Sequence, residues 1–218
     1  MPQLQREGYF SVQDAASQLA VEALEVKGGM EVLDLCAAPG GKSEYCAEIM
    51  GNQGRIVSCD LYPHKTELID KSCDRLGITI VETRVNDAEK FNEEFEDKFD
   101  RVLLDAPCSG LGIIRRKPDI KWTKGAPDCS ALAETQYKML RHAKRYVKCG
   151  GILVYSTCTI LKEENEEVVT AFLDAHPEFE AVAFEHPICG VAEQGWITLL
   201  PHLHHTDGFF IAKLRRKE

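Results

Sequence analysis

Short apolar runs alternate with amphipathic stretches along most of the chain. Met30–Leu35 (MEVLDL), Arg55–Cys59 (RIVSC), Ile78–Val81 (ITIV), Arg101–Asp105 (RVLLD) and Ile152–Ser156 (ILVYS) are apolar enough to predict strands buried on both faces. Helical spacing predicts helices over Lys42–Met50, His64–Leu76 and Ser130–Lys148, with Gly51, Gly77 and Gly150 standing where C-terminal caps are expected. A further helix is predicted over Lys162–Ala175, ahead of Pro177, and strands return at Phe179–Phe184 and Phe209–Leu214. Before the first strand, Val12–Val26 has the pattern of an amphipathic helix. Such alternation predicts an α/β fold: a doubly wound, mostly parallel, seven-stranded sheet covered by helices on both faces. In such sheets ligands bind at the carboxyl ends of the strands, near the point where strand order reverses.

The 218 residues, 44% of them hydrophobic, suit one domain. Residues 1–28 are expected to form a helical segment packing on a domain over 29–218. No stretch is apolar enough to span a membrane, and the opening MPQLQREGYFS lacks the apolar core of a signal peptide. Nine scattered cysteines, odd in number and never spaced Cys-x-x-Cys, argue against a disulfide framework or a zinc ribbon. A cytoplasmic protein with mostly reduced thiols is expected, with no membrane partner. A monomer is the default expectation. No metal is expected either: His202, His204 and His205 lie close in sequence but no partnering ligand pattern accompanies them.

The net charge of −9 argues against a nucleic-acid partner unless charge is segregated. It is segregated. Arg115, Arg116, Lys117, Lys121 and Lys124 share one short stretch with the single acid Asp119 and with Trp122. Acids gather between Asp87 and Asp100 and again at Glu163, Glu164, Glu166 and Glu167, which are expected on remote solvated faces. The basic stretch suits RNA contact, or is a solvated charged loop; Trp122 suits base stacking, or a place in the core.

The first strand runs through LDLCAAPGGKS (Leu33 to Ser43) into a helix. Small residues let the backbone approach a ligand, and the helix N-terminus offers free N–H groups. A P-loop is excluded because Cys36 stands where its first glycine is required, and the spacing of a dinucleotide fingerprint is absent. A loop for S-adenosylmethionine remains. Asp60, closing the second strand, can accept ribose hydroxyls, and Asp87, after the third, can receive an adenine amino group. Asp34 can serve the ligand or merely anchor the loop.

The fourth strand ends in DAPCSG and the fifth in YSTCT, so Cys108 and Cys158 are expected to meet in one pocket. The other seven cysteines are expected as buried structural residues. Two thiols suit one chemistry in particular. C5 of cytosine is a poor nucleophile until a thiolate adds at C6 and makes C5 an enamine carbon. Asp105 can act at N3, and Lys42 or a helix N-terminus can lower a thiol pKa. Amino-group methylation typically uses a carboxamide or acid followed by Pro-Pro and an aromatic, whereas this chain has Asp105-Ala-Pro-Cys.

The motifs GYFSVQDAASQLA, LDLCAAPGGK, DAPCSGLG, RRKPDIKW, YSTCT, ENEEVV and TDGFF, in this order, resemble those of the RsmB/Sun (Fmu) ribosomal RNA cytosine-5 methyltransferases of the Nol/Nop/Sun group. The resemblance covers nearly the whole chain. It implies a Rossmann-like class I methyltransferase fold with S-adenosyl-L-methionine as cofactor, bound by Cys36, Ala37, Ala38, Pro39, Gly40, Gly41, Lys42, Asp60, Lys65, Asp87 and Asp105. Lys65 stands where many relatives have Arg. It implies Cys158 as the nucleophile and Cys108 as the residue that helps release product, with Asp105 and Lys42 also facing the base. It implies small-subunit (16S) ribosomal RNA as partner, contacted through Arg115, Arg116, Lys117, Lys121 and Trp122, and so a role in rRNA processing. The family's NusB-like RNA-binding domain is expected to be absent, since only about 28 residues precede the first strand. The same chemistry on transfer RNA, a non-catalytic ribosome-assembly factor and a thiol-dependent NAD enzyme are the competing functions.

Overall fold

Four of the first five apolar runs lie in strands β1 (Glu31–Asp34), β2 (Arg55–Asp60), β4 (Phe99–Asp105) and β5 (Val147–Thr157), and β3 (Val81–Val85) starts at the last residue of the third. The structure, a computed structural model, describes residues 3–123, 126–186 and 188–218. Helices α1 (Gln3–Arg6) and α2 (Ala15–Leu24) precede β1, α3 (Gly41–Ile49) follows it, and α4 (Pro63–Leu76) follows β2. Between β4 and β5 lie α5 (Ile120–Thr123) and α6 (Ala126–Ala143). Beyond β5 come α7 (Glu166–Ala175), β6 (Phe179–Ala181), β7 (Phe184–His186), β8 (Gly190–Ala192), β9 (Trp196–Leu199), α8 (Pro201–His204) and β10 (Phe209–Arg216).

The main sheet runs β3-β2-β1-β4-β5-β10-β6, with β1 to β5 parallel and β10 antiparallel to both its neighbours. These are the seven positions expected. The outermost is shared: β9 pairs with Phe209–Ala212 and β6 with Leu214–Arg216, so eight strands occupy it in all. The β7–β8 hairpin stands apart as a second, two-stranded sheet.

Alternation along each strand divides the core in two. Leu33, Val57, Val102, Leu104, Leu153 and Tyr155 face one side, packing with Leu140 and Ala143 of α6 and Val169 and Phe172 of α7. Val32, Ile56, Leu103 and Val154 face the other, with Ala16, Leu19, Ala20, Val21 and Leu24 of α2 and Cys46 and Ala47 of α3. Helix α2 is capped by Asp14, whose side chain accepts from Ala16 N–H, and stops at Glu25 in the left-handed conformation. There Glu25 takes the ammonium of the buried Lys213 at 2.5 Å, fixing the helix to β10.

Four expectations are corrected. The run Ile78–Val81 is mostly irregular backbone leading into the strand, and β3 begins where that run ends. As an edge strand it carries polar residues, tied by Arg55–Glu82 and Arg84–Glu82 ion pairs, so the apolar pattern marks its start only. Gly150 is no helix cap; it lies inside β5 at φ 74°, because α6 stops at Ala143 and the strand opens at Val147. The helix expected over Lys162–Ala175 is a 3-10 turn (Lys162–Glu164) and α7, broken at Asn165. The strand expected over Phe179–Phe184 splits into β6 and β7.

Candidate active site

Strand order reverses beside β1, which β2 and β4 flank, and the chain's unusual residues collect at the carboxyl ends there. Beyond β1 the backbone is held by its neighbours: Leu35 N–H donates to Leu103 O at 3.0 Å and Ala37 N–H to Cys59 O at 2.7 Å. After the cis Ala38–Pro39 bond, Gly40 turns at φ 114° and opens α3. A side chain there would be strained and would press on Ile69 and the Glu44 carboxylate.

Asp34 anchors this loop. Its Oδ2 accepts from Ser43 Oγ at 2.7 Å, and Ser43 in turn accepts from Ser58 Oγ at 2.7 Å. Its Oδ1 is buried without a partner. Burial is the main cause that pushes the Asp34 carboxyl from 3.8 up to about 6. The unfolded chain therefore ionises first, and stability falls as pH rises from about 4, levelling off above about 6. A shift of this size corresponds to about 3 kcal/mol. Asp34→Asn removes that pH dependence, so its stability relative to the parent should rise by about 1 kcal/mol between pH 5 and 7.5. Urea unfolding at both pH values measures this; an unchanged difference would mean that Asp34 is ionised throughout.

Asp60 is buried at the end of β2, where its Oδ1 accepts from Tyr62 N–H at 3.3 Å and lies 3.4 Å from Lys65 Nζ. Asp87, two residues beyond β3, pairs with Lys90 at 3.0 Å and accepts from Glu89 N–H. Cys36, expected as structural, is only half-buried and lies in this loop; desolvation and the charges of Asp34, Asp105 and Asp60 push its thiol well up. Cys46, Cys59 and Cys73 are buried as expected, whereas Cys149 is exposed beside Gly150.

The ends of β4 and β5 bring two pairs together. Lys42 Nζ, from the first turn of α3, contacts Asp105 Oδ2 at 2.6 Å, and Ser156 Oγ donates to Asp105 Oδ1 at 2.8 Å. Burial lowers the Lys42 pKa, but Asp105 outweighs it and the ammonium is held above its ordinary value. The second pair is the thiols: Cys108 Sγ and Cys158 Sγ are 3.2 Å apart. Their pKa values move in opposite directions. The hydrogen bond with Cys158, then burial, push Cys108 well up. The same bond, helped by Lys42, holds Cys158 below its ordinary value despite burial and Asp105. Cys158 is therefore the more acidic thiol of the pair, although at this distance either sulfur can donate.

The loop of TDGFF closes over this arrangement. Gly112 N–H donates to Cys158 O at 3.0 Å and Gly208 N–H to Gly112 O at 2.9 Å. The two glycines pack so closely that a Cβ on Gly112 would lie 2.0 Å from Gly208 O. Phe209 places its ring under Lys42 Nζ, 5.6 Å from the centroid.

The basic stretch is not the free loop expected. Arg115 and Arg116 are both bound to Asp207, at 2.5 and 2.6 Å, and Arg116 also reaches Asp14 at 2.5 Å. Their charge is thereby committed to joining the loop after β4, the start of α2 and the TDGFF loop. Lys117, Lys121 and Trp122 are exposed; Trp122, at 82%, is not in the core. Lys124 lies outside the described residues. Glu164, expected on a solvated face, is fully buried. A groove of about 740 Å³ between residues 8–18 and α3 reaches Gly41 and Glu44 but includes neither thiol. Among the described residues no group of three or more His, Cys, Asp or Glu could hold a metal ion, and His204 is instead engaged by its ring with Leu200 N–H. Among the described residues no helix is long and apolar enough to cross a membrane.

The mostly parallel sheet with helices on both faces is the Rossmann-like fold of S-adenosylmethionine-dependent methyltransferases. The family profile described as 16S rRNA methyltransferase RsmB/F matches residues 21–215, and the chain belongs to that family. It is 49% identical over 216 residues to the probable ribosomal RNA small subunit methyltransferase B of Bacillus subtilis (strain 168), covering 96% of this chain and 48% of that protein. The structure of PH0851 is 39% identical, with a TM-score of 0.94 over 99% of this chain and 49% of the other. NSun6 from Pyrococcus horikoshii, solved with the S-adenosylmethionine analogue SFG, is 31% identical with a TM-score of 0.85, over 100% of this chain and 56% of the other. The chain spans about half the length of the curated relatives it matches.

Proposed function

We propose that this chain methylates C5 of a cytosine in small-subunit ribosomal RNA, using S-adenosylmethionine and a covalent Cys158–C6 adduct. The observation that carries the reading is the thiol pair at 3.2 Å, with the Lys42–Asp105 pair beside it. The residues present fit the cofactor: a small-residue loop of Ala37, Ala38, Gly40 and Gly41, the buried strand-end carboxylate of Asp60, and the unpartnered Asp34 Oδ1. Residues 36–42, Asp60, Lys65, Asp87 and Asp105 would hold it, and when bound it supplies an electrophilic methyl group.

The protein's own groups do the rest. Cys158, its thiol made more acidic by Cys108 and Lys42, loses its proton to solvent and adds as thiolate to C6, moving the C5–C6 electron pair toward C5 and, through the ring, toward N3. N3 takes up a proton from solvent to balance the addition, and Asp105, kept in place by Lys42 and Ser156, would face that N–H and accept its hydrogen bond. After C5 has gained its substituent, its proton passes to water, the C–H electron pair reforms the C5–C6 double bond, the Cys158–C6 bond breaks with its pair going to sulfur, and the N3 proton returns to solvent. Cys108, in contact with the departing sulfur, assists that release.

Labelled methyl transfer to undermethylated small-subunit RNA, followed by nucleoside analysis, tests the reading. Label in 5-methylcytosine supports it; transfer RNA labelled in preference redirects the substrate, and no transfer to any RNA removes it. The same reading takes the chain to work in the cytoplasm and as a monomer, the latter of which sedimentation would check. Trp122, exposed beside Lys121, offers a stacking surface for RNA. Trp122→Ala should weaken RNA binding by about 1–3 kcal/mol and leave the melting temperature unchanged. Equal affinity in a filter-binding titration would remove Trp122 from the interface.

A further inference from the structure

We infer that Gln136, Glu164 and Asn165 are positioning residues that hold the two thiols at their working separation. The inference rests on the methyl-transfer reading for its purpose, and on geometry for its substance. All three side chains are fully buried, behind the loops that carry the cysteines. Each cysteine is gripped on both sides. For Cys108, Gln136 Nε2 donates to Pro107 O at 2.9 Å and Ser109 N–H donates to Glu164 Oε2 at 2.9 Å. For Cys158, Thr157 Oγ1 donates to Asn165 Oδ1 at 2.5 Å and Asn165 Nδ2 donates to Thr159 O at 3.1 Å.

The two grips are one body. Gln136 Nε2 also donates to Glu164 Oε2 at 2.9 Å, and Glu164 and Asn165 are consecutive. The hydroxyls of Ser109 and Thr159, each next to a thiol, meet at 2.9 Å. Tyr155 OH donates to Glu164 O at 2.6 Å, tying the body to β5. The chain departs from helical geometry at Asn165 (φ −121°, ψ −99°), the residue whose side chain spans the Cys158 loop. A buried carboxylate and a broken helix are costly for packing alone. They are suited to fixing a distance between two loops from strands whose Cys residues lie fifty positions apart.

A packing role and a positioning role differ in what they do to Cys158. We would follow iodoacetamide alkylation of Cys158 against pH by peptide mapping, without RNA or methyl donor, and separately kcat and KM for methyl transfer. In Asn165→Ala and Glu164→Ala the loops part, the midpoint of Cys158 alkylation should move to higher pH, and kcat should fall about 100-fold with KM for RNA little changed. Glu164→Gln keeps an acceptor oxygen for Ser109 and Gln136 and should retain kcat within roughly fivefold. Ser109→Ala, which removes one hydroxyl from an otherwise intact loop, serves where the larger changes prevent folding; its midpoint and kcat should move the same way. An unmoved midpoint, with kcat lowered only as far as the folded fraction falls, would overturn positioning. Glu164→Gln as damaging as Glu164→Ala would overturn it too, by making charge the requirement. A parent protein that moves no methyl group to any RNA, while the variants shift alkylation as described, would sink the methyl-transfer reading and leave the positioning intact.

Discussion

Cys158→Ala should form no covalent RNA adduct and should lower methyl transfer by on the order of 10⁴-fold or more, as expected for loss of a nucleophile. Cys108→Ala should do the opposite to the adduct. Its Cys158 still reaches C6, but the sulfur that touches it at 3.2 Å is gone, so release stalls and a protein–RNA species survives denaturing gel electrophoresis. Cys108→Ala also removes the hydrogen bond that chiefly holds the Cys158 thiol down, so the adduct should accumulate faster at alkaline than at neutral pH. An adduct persisting in Cys158→Ala and absent from Cys108→Ala would exchange the two roles.

The second large effect concerns Lys42 and Asp105. Their side chains are 15% and 24% exposed, so the pair is largely buried. Lys42→Met leaves Asp105 with only Ser156 and should cost about 3 kcal/mol of stability. It also removes a cation that lowers the Cys158 thiol, whereas Asp105→Asn removes an anion that raises it. Methyl transfer should therefore fall in both variants while the pH midpoint of Cys158 alkylation moves up in Lys42→Met and down in Asp105→Asn. Midpoints moving in the same direction would mean that the pair acts on the thiol through structure and not through charge.

Most strands, and the loops beyond them, were legible because they are buried on both faces and so nearly unbroken in apolar residues. The exception, β3, sits at an edge where polar residues are tolerated, and there the pattern pointed three residues early. The positions of Asp60 and Asp105, which close strands, and of Cys108 and Cys158, just beyond them, were legible from the strand pattern, and that of Lys42 from the small-residue loop that runs into α3. What was not legible depends on partners distant in the chain. Glu164 reads as one of four solvated acids until Ser109 and Gln136 arrive to receive it. Arg115 and Arg116 read as free cations until Asp207, about ninety residues later, neutralises them. Neither periodicity nor composition carries information about such meetings.

One feature of the sheet bears on when the site can exist. Strand β10 fills the gap between β5 and the β6 and β9 pair, and Gly208, just before it, closes on Gly112 and through it on the Cys158 backbone. During synthesis β1 to β9 leave the ribosome before it does. Until residues 208–216 emerge, β5 has an open edge and the Cys158 loop lacks its cover. The nascent chain therefore carries both cysteines for about fifty residues of translation before Gly208 can close on Gly112, and the covered arrangement of the two thiols is deferred until β10 is in place.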